Sequence, residues 1–543
     1  MKKNNILLAL IIVIISFIPI LSLFHPGFPL THDGQDHVAR IANFYKNLQE
    51  GIIIPRWAGN LNWGYGHPVL EFLYPLPSYI ASFFHFAGFS LVDSTKIVFG
   101  LGMILSLIFM YLWLSLFTSR YSAIFGSILY TYAPYRFVET YVRGDIGENL
   151  AFVFIPLVLL FIYKLYRKNN YAFVLFGAIS LALLILAHNA ISLMLMPFII
   201  IYSLLLIYLS KDRKSLSLNL LLLIVIGFAL SLFFWFPALF EGKYTLRNIV
   251  TQGGYISRFV SLGTLIYGPW NYGQSGQFTV QFGLFQWIAL IFSPLVILKF
   301  KKDKEKFYLA IILLIFTILS AFLMLPWSSL LWAKIMLLQN FQFPWRFLAI
   351  IVFSTAVLGA LFFELIPKKL KLFSLLIFGL IIFIISSFYW YPKGYLYKNE
   401  SFYTGIYNGT TDTGESSPIW SIRGMEHRPK APLAIIDGYA SIKELKRTSA
   451  EHDYLINAKS KTLFIENTLY FPGWAIYDNN KSIPIEFQNV RYEGIMTFSL
   501  NKGVHEVKVL YEDTKIRQIS NLISFLTLII ILGLFGIKLR RTI

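Results

Sequence analysis

Long apolar runs dominate the chain. They lie at 6–24, 96–117, 122–136, 150–163, 171–188, 190–209, 216–238, 282–298, 307–326, 346–363, 372–390 and 519–537. A bilayer's hydrocarbon core takes about 20 mostly apolar helical residues to cross. The pattern therefore predicts an all-α polytopic membrane protein of about twelve spans. The first run follows Lys2 and Lys3, and no small-x-small cleavage site comes after it, so it reads as an uncleaved span. A further stretch, 69–91, holds Pro75, Pro77, Glu71 and His85. It is expected to lie in or dip into the interface without crossing.

Between the runs the polar sequence is unevenly shared. Long segments occur at 25–95, 137–149, 239–281 and 391–518, with a shorter one at 327–345. Within 391–518 the pattern changes period. Leu463, Ile465 and Leu469 alternate up to Pro472-Gly473-Trp474, and Asp478-Asn479-Asn480 can turn a strand pair at 474–477 and 482–486. Met496, Phe498 and Leu500, then Val507, Val509 and Tyr511, flank the turn Asn501-Lys502-Gly503. This predicts a small C-terminal β-sandwich-like unit. The expected division is 1–390 transmembrane, 391–518 extracytoplasmic and β-rich, and 519–543 a last helix with a basic tail. A carbohydrate-contacting module and a structural lid are equal readings of the β-rich unit.

Composition agrees: 56% of residues are hydrophobic and 14% charged, where soluble proteins carry roughly 25% charged residues. That excludes a large soluble enzyme, and the absence of cysteine excludes thiolate chemistry and a disulfide scaffold. The net charge of +19 invites a nucleic-acid reading until its position is read. If 69–91 does not cross, the brief loops on one side carry 20 basic residues against four acids, net +16, and everything else nets +3. Such a bias marks the cytoplasmic side. Both termini are then expected inside the cell membrane and the β-rich unit outside. Membrane lipids, and no nucleic acid, are the expected partners.

Under this topology the candidate chemistry gathers outside, where polar groups near a membrane core are costly. Asp33, Asp36, His37 and Arg40, beside His32, follow the first run at i, i+3, i+4 and i+7, so a helix starting near Asp33 would put them on one face. A carboxylate there can act as general base. Asp36 and His37 with Asp33 also offer ligands to a divalent metal, although no cofactor or metal is firmly implied. The plain alternative is Asp33 as a helix cap with ordinary ion pairing. In the next cluster Arg136 and Arg143 suit bidentate phosphate binding, and Asp145 and Glu148 suit sugar hydroxyls or a metal; a salt-bridged helix cap is the other reading. His188-Asn189 is a polar pair between apolar runs, read as a packing histidine or a ligand contact. Arg346, in Gln342-Phe343-Pro344-Trp345-Arg346, can meet a lipid phosphate or simply snorkel.

These motifs resemble a known family. Thr31-His32-Asp33-Gly34-Gln35-Asp36-His37, Pro55-Arg56-Trp57, Asn62-Trp63-Gly64-Tyr65-Gly66-His67-Pro68 and Tyr74-Pro75-Leu76-Pro77-Ser78-Tyr79 are similar to the bacterial membrane family called "6-pyruvoyl-tetrahydropterin synthase-related domain". So are Tyr141-Val142-Arg143-Gly144 with Glu148, His188-Asn189 and Phe343-Pro344-Trp345-Arg346. Nothing resembles the soluble pterin synthase itself. The tail, with Phe471-Pro472-Gly473-Trp474 and Gly503-Val504-His505, resembles YfhO-like membrane glycosyltransferases. The resemblance implies a GT-C-like fold and an inverting glycosyltransferase (hexosyltransferase class) using a polyprenyl-phosphate sugar at the extracytoplasmic face, with a cell-envelope acceptor. It implies Asp33 as catalytic base, with Arg143 or Arg346 steadying the leaving lipid phosphate. His32, Asp36, His37, Arg40, Asp145, Glu148 and His188 complete the expected substrate-binding set. The Asp-x-x-Asp spacing of Asp33 and Asp36 departs from the Asp-x-Asp of metal-dependent relatives. A transporter or flippase for lipid-linked glycans, and a non-catalytic scaffold that binds them, are the rival readings; a nearly charge-free set of spans disfavours the transporter.

Overall fold

The computed structural model describes residues 14–273 and 278–540, with side chains up to residue 534. The start of the first expected span, Lys2, Lys3 and Arg541 of the basic tail lie outside the described residues. Each expected apolar run is mainly helical where described, but the helices are unequal. Seven are long and apolar enough to cross a membrane: Leu91–Leu114, Ile146–Arg167, Asn189–Leu209, Arg213–Leu230, Lys304–Met324, Pro344–Glu364 and Lys515–Leu534. Ile14–Phe24, Tyr171–Ala187 and Lys371–Ser387 are shorter apolar helices. The other two expected spans are broken. One is Arg120–Thr131 followed by a turn at Pro134–Phe137, and the other divides into Leu284–Ile291 and Ser293–Lys299 ahead of Pro294, where proline removes a backbone donor.

Burial ranks these helices. Ile146–Arg167 and Pro344–Glu364 each bury 89% of their most apolar window, whereas Arg213–Leu230 and Lys515–Leu534 bury 22%. The first two form the centre of the bundle, and their starting ends carry Glu148 and Arg346. The stretch 69–91 makes two short helices, Val69–Phe72 and Leu76–Phe86. At 1.5 Å per residue neither can cross a bilayer, and Phe83 and Phe86 lie exposed on the second.

Ten strands are present: β1 (Phe28–Pro29), β2 (Tyr395–Leu396), β3 (Leu433–Asp437), β4 (Ala440–Arg447), β5 (Glu451–Ala458), β6 (Thr462–Leu469), β7 (Trp474–Asp478), β8 (Lys481–Ile483), β9 (Ile495–Leu500) and β10 (Gly503–Tyr511). Antiparallel sheets in the orders β4-β5-β10-β7-β8 and β3-β6-β9 share one apolar core that includes Ile456, Phe464, Ile476, Phe498 and Val507. The β7–β8 turn has Asn479 and Asn480 at φ 47° and 65°, the conformation a tight hairpin requires. The turn after Leu500 carries the chain from one sheet to the other.

This unit does not complete its own core. Trp57 and Phe72, from the segment after the first helix, pack edge-on against Trp474 and Phe471 at 5.4 and 5.9 Å. β1 pairs with β2 across 366 residues of chain (Pro29↔Tyr395). At the root of the last helix, fully buried Arg517 joins Glu71 at 2.9 Å and Glu241 at 2.5 Å. The expected boundary at residue 391 therefore marks a change of secondary structure, while packing runs continuously across it.

Candidate functional site

The site is built on a pause between two helices. Val138–Arg143 forms a π-helical turn that ends at Gly144, and Asp145 then caps Ile146–Arg167 by accepting from the Glu148 N–H at 2.9 Å. Single π turns are frequent at functional positions. Gly144 has φ 72°, and a Cβ there would lie 2.3 Å from Thr31 Oγ1. Glycine thus lets two loops close: the N–H groups of His32 and Asp33 donate to the carbonyls of Val142 and Arg143 at 3.0 and 2.8 Å.

Arg143 is the hub. Its Nη1 lies 2.7 Å from Glu139 and 3.0 Å from Glu148, and its Nη2 2.9 Å from Asp145. The guanidinium stacks on Trp345, 4.5 Å from the ring centre. Arg346 donates from Nε to Glu148 at 3.3 Å and from Nη1 to the Phe341 carbonyl at 2.9 Å. Tyr135 and Tyr74 donate to Glu148 and Asp145 at 2.5 and 3.1 Å. His188 accepts from the Ile191 N–H through Nδ1, and its Nε2 lies 3.8 Å from Asp145. Its ring stacks on Tyr74 at 4.8 Å. Burial pushes the Asp145 carboxyl up, but Arg143, His188 and Arg346 outweigh it and hold the group well below the usual carboxylate range.

Asp33 differs from these paired acids. It sits at the cap position of the helix Gly34–Gln49, but its side chain makes no capping bond, and no donor engages its carboxylate among the described residues. Its surface is open to solvent, but the surrounding protein displaces enough water to raise its carboxyl above the ordinary value, against the opposing pull of Arg143. A free carboxylate with a raised pKa is suited to accepting a proton.

The rest of the Asp33 motif turns elsewhere. Asp36 accepts from Tyr407 at 2.7 Å. Arg40 donates to Thr411 and, from Nη1, to His37 at 3.1 Å. Burial and Arg40 push His37 down to about 3, so the ring is neutral at physiological pH. Asp36 and Arg40 tie the helix to 407–411, whereas His37 lies 6.5 Å from the Tyr74 ring and, like Asp33, within electrostatic reach of Arg143. His32 donates from Nε2 to the Tyr272 carbonyl, 2.7 Å away. Arg136, expected with Arg143 as a phosphate ligand, is wholly buried under Phe152 and turned to the carbonyls of Gly102 and Asn149.

The metal set needs correction. Asp33, Asp36 and His37 do not converge. Among the described residues the set with metal-ligand spacing is Asp145, Glu148 and His188, with ligand atoms within 4.8 Å of one another. Arg143 already binds both of those carboxylates, so a cation there would have to displace a guanidinium.

Beside the cluster lies a cavity of about 500 Å³. Its polar lining includes Asp145, His188, Arg346, Arg247 and Glu415. Its apolar lining includes Leu193, Leu239 and Leu337, all three exposed on the surface. Arg247 and Glu415 escaped the sequence reading, since neither stands in a motif. Tyr74, Tyr135 and Glu139 lie inside or beside quoted motifs, but only the folded chain shows their partners.

A helical membrane protein with an acid–arginine cluster at one end of its bundle is thus defined. Over residues 70–393 the chain matches the family model described as "6-pyruvoyl-tetrahydropterin synthase related domain; membrane protein", and it belongs to that family. An uncharacterized protein of Lactococcus lactis subsp. cremoris (strain MG1363) is 26% identical over 326 residues, 57% of this chain and 52% of that one. The chain therefore spans about half the length of that relative. Three solved structures are loosely similar. The arabinofuranosyltransferase AftD from Mycobacteria is 14% identical, covers 73% of this chain and 27% of its own, and gives a TM-score of 0.47. The Archaeoglobus fulgidus oligosaccharyltransferase is 17% identical, with 76% and 58% covered and a TM-score of 0.49. ArnT from Cupriavidus metallidurans, bound to undecaprenyl phosphate, is 12% identical, with 71% and 64% covered and a TM-score of 0.43.

Proposed function

We propose that the protein is a membrane-embedded, inverting glycosyltransferase that moves a sugar from a polyprenyl-phosphate donor to a cell-envelope acceptor at the extracytoplasmic face. The observation that carries this reading is the cavity. Its lining combines arginines with leucines exposed on the surface. An isoprenoid chain suits the leucines and a phosphate suits Arg346, whose Nη2 has no hydrogen bond among the described residues. Arg143 is fully engaged by carboxylates, so its role is to hold the cluster, and Arg346 takes the phosphate.

In this scheme Asp33 removes the proton from an acceptor hydroxyl. The oxygen attacks the anomeric carbon, the new C–O bond forms, and the bond to the phosphate oxygen breaks with its electron pair leaving on the lipid phosphate. Arg346 stabilises that charge where it develops. Phosphate is a good leaving group, so no general acid is required. Polar residues at one end of the bundle support an enzyme or binding protein over a transporter, which needs a polar path to both faces. The deciding assay offers purified protein a panel of polyprenyl-phosphate sugars with mass detection of acceptor products. Consumption of a donor is expected; binding of lipid phosphate without turnover of any donor would replace this reading with that of a scaffold.

A further inference from the structure

The C-terminal β-rich unit reaches into the cavity through the loop 410–417. We propose that Glu415 on this loop recognises the sugar of the lipid-linked donor, its free carboxylate oxygen accepting hydrogen bonds from ring hydroxyls opposite Arg247. The inference rests on the donor reading above and gives the β-rich unit a part in substrate selection.

Glu415 lines the same cavity as Asp145, His188 and Arg346 although it lies 69 residues beyond Arg346 in the chain and in the other unit. It is 7% exposed. Its Oε2 accepts from Gln342 and, at 3.1 Å, from Thr413. No donor engages Oε1 among the described residues, so half of this carboxylate is left for a ligand. Arg247 also lines the cavity and is only partly exposed, and its guanidinium has no carboxylate within salt-bridge distance among the described residues. A carboxylate and a guanidinium across a cavity match the hydroxyls of a sugar, which both donate and accept.

The surrounding loop is built to hold this carboxylate still. Asp412 accepts from the N–H groups of Gly414 and Ser416 at 2.8 and 3.0 Å. Ser417 bonds His67 at 3.0 Å, and its carbonyl accepts from the Leu246 N–H at 2.9 Å. The Ile419 N–H donates to the Tyr244 carbonyl at 2.9 Å. Residues 244–247 and 417–419 are thereby stitched together, so Arg247 and Glu415 are presented by one framework. Thr411 and Gln342, on either side, have φ 65° and 63°. Left-handed backbone is unusual for a β-branched residue and is retained where surrounding structure enforces it. Hydrogen bonds from Arg40 to Thr411 and from Gln342 to Glu415 do the enforcing.

The test measures, on one preparation of full-length protein, the affinity for bare undecaprenyl phosphate and for undecaprenyl phosphate bearing a hexose, an N-acetylhexosamine or a pentose. The ratio of sugar-bearing to bare affinity is unaffected by any unfolded fraction. Wild type is expected to prefer one sugar-bearing lipid at least tenfold. Glu415→Gln should lower that preference at least tenfold and shift affinity for the bare lipid less than twofold. Arg346→Ala should weaken all the lipids alike. If Glu415→Gln keeps the wild-type preference, or if wild type shows none, the proposal is overturned while the lipid-phosphate reading stands. If wild type binds no polyprenyl phosphate at all, the donor reading itself fails.

Discussion

At the residue scale, the decisive contrast is between carboxylates that are spent and one that is not. Glu139, Asp145 and Glu148 are consumed by Arg143, Arg346 and two tyrosines, whereas Asp33 has no side-chain partner among the described residues. Arg143, His188 and Arg346 hold Asp145 below the usual carboxylate range and make it a poor proton acceptor, whereas the Asp33 carboxyl is raised above the ordinary value. Asp33→Asn is therefore expected to lower sugar transfer by about 10²–10⁴-fold, the usual worth of a general base, with lipid-phosphate affinity retained. Turnover unchanged in that variant would remove Asp33 as base. The sign of the pH dependence follows from the raised pKa. The base form exists above that pKa, so kcat/KM should rise with pH through a midpoint above the ordinary carboxylate value and then level off. A midpoint at or below the ordinary value would contradict the raised carboxyl. The sequence offered Asp33 as a catalytic base or a helix cap and left the two open, because a cap and a free carboxylate occupy the same position and differ only in a side-chain rotation.

At the scale of elements, the site depends on loops closing upon one another. The π-helical turn 138–143 ends in Gly144, and its carbonyls receive the N–H groups of His32 and Asp33. Gly144→Ala adds a Cβ that meets Thr31 Oγ1 at 2.3 Å and also forces a side chain into left-handed backbone. Gly51→Ala makes the control, because it shares a positive φ, 86°, with nothing within 4 Å of the added atom. Backbone strain alone costs about 1–3 kcal/mol. Gly144→Ala should therefore lower thermal stability in detergent more than Gly51→Ala, and should separate the Asp33 loop from Arg143. Equal melting points for the two variants would show that the loops yield. The helical elements were legible because a 20-residue apolar run has few alternatives in a membrane. The breaks within 122–136 and 282–298 were not, since a buried turn keeps the same apolar composition as the helix it interrupts. Strands β7 to β10 were legible from their alternation and turn residues. β3, β4 and β5 lie in or adjoin the stretch 391–460, where partly exposed faces blur that alternation.

At the scale of the whole molecule, topology is the open prediction. The lysine- and arginine-rich loops predict that the acid–arginine cluster lies outside. The chain has no cysteine, so single cysteines at exposed Lys168 and Lys502 report sidedness directly. Lys502→Cys should react with an impermeant maleimide on intact cells, and Lys168→Cys only after permeabilisation; the reverse pattern would turn the protein over. The sequence by itself determined a helical polytopic membrane protein, the β-rich segment before the last helix and the family motifs that carry Asp33, Arg143, His188 and Arg346. These follow from local period and residue type, which are properties of short windows of chain. Only the tertiary structure decided which charges neutralise one another, that Asp33 stays free, and that Arg247 and Glu415 enter the cavity beside Arg346. Those outcomes depend on contacts between residues tens to hundreds of positions apart, and a pair such as Glu415 and Arg346 leaves no spacing in the chain from which its meeting could be read.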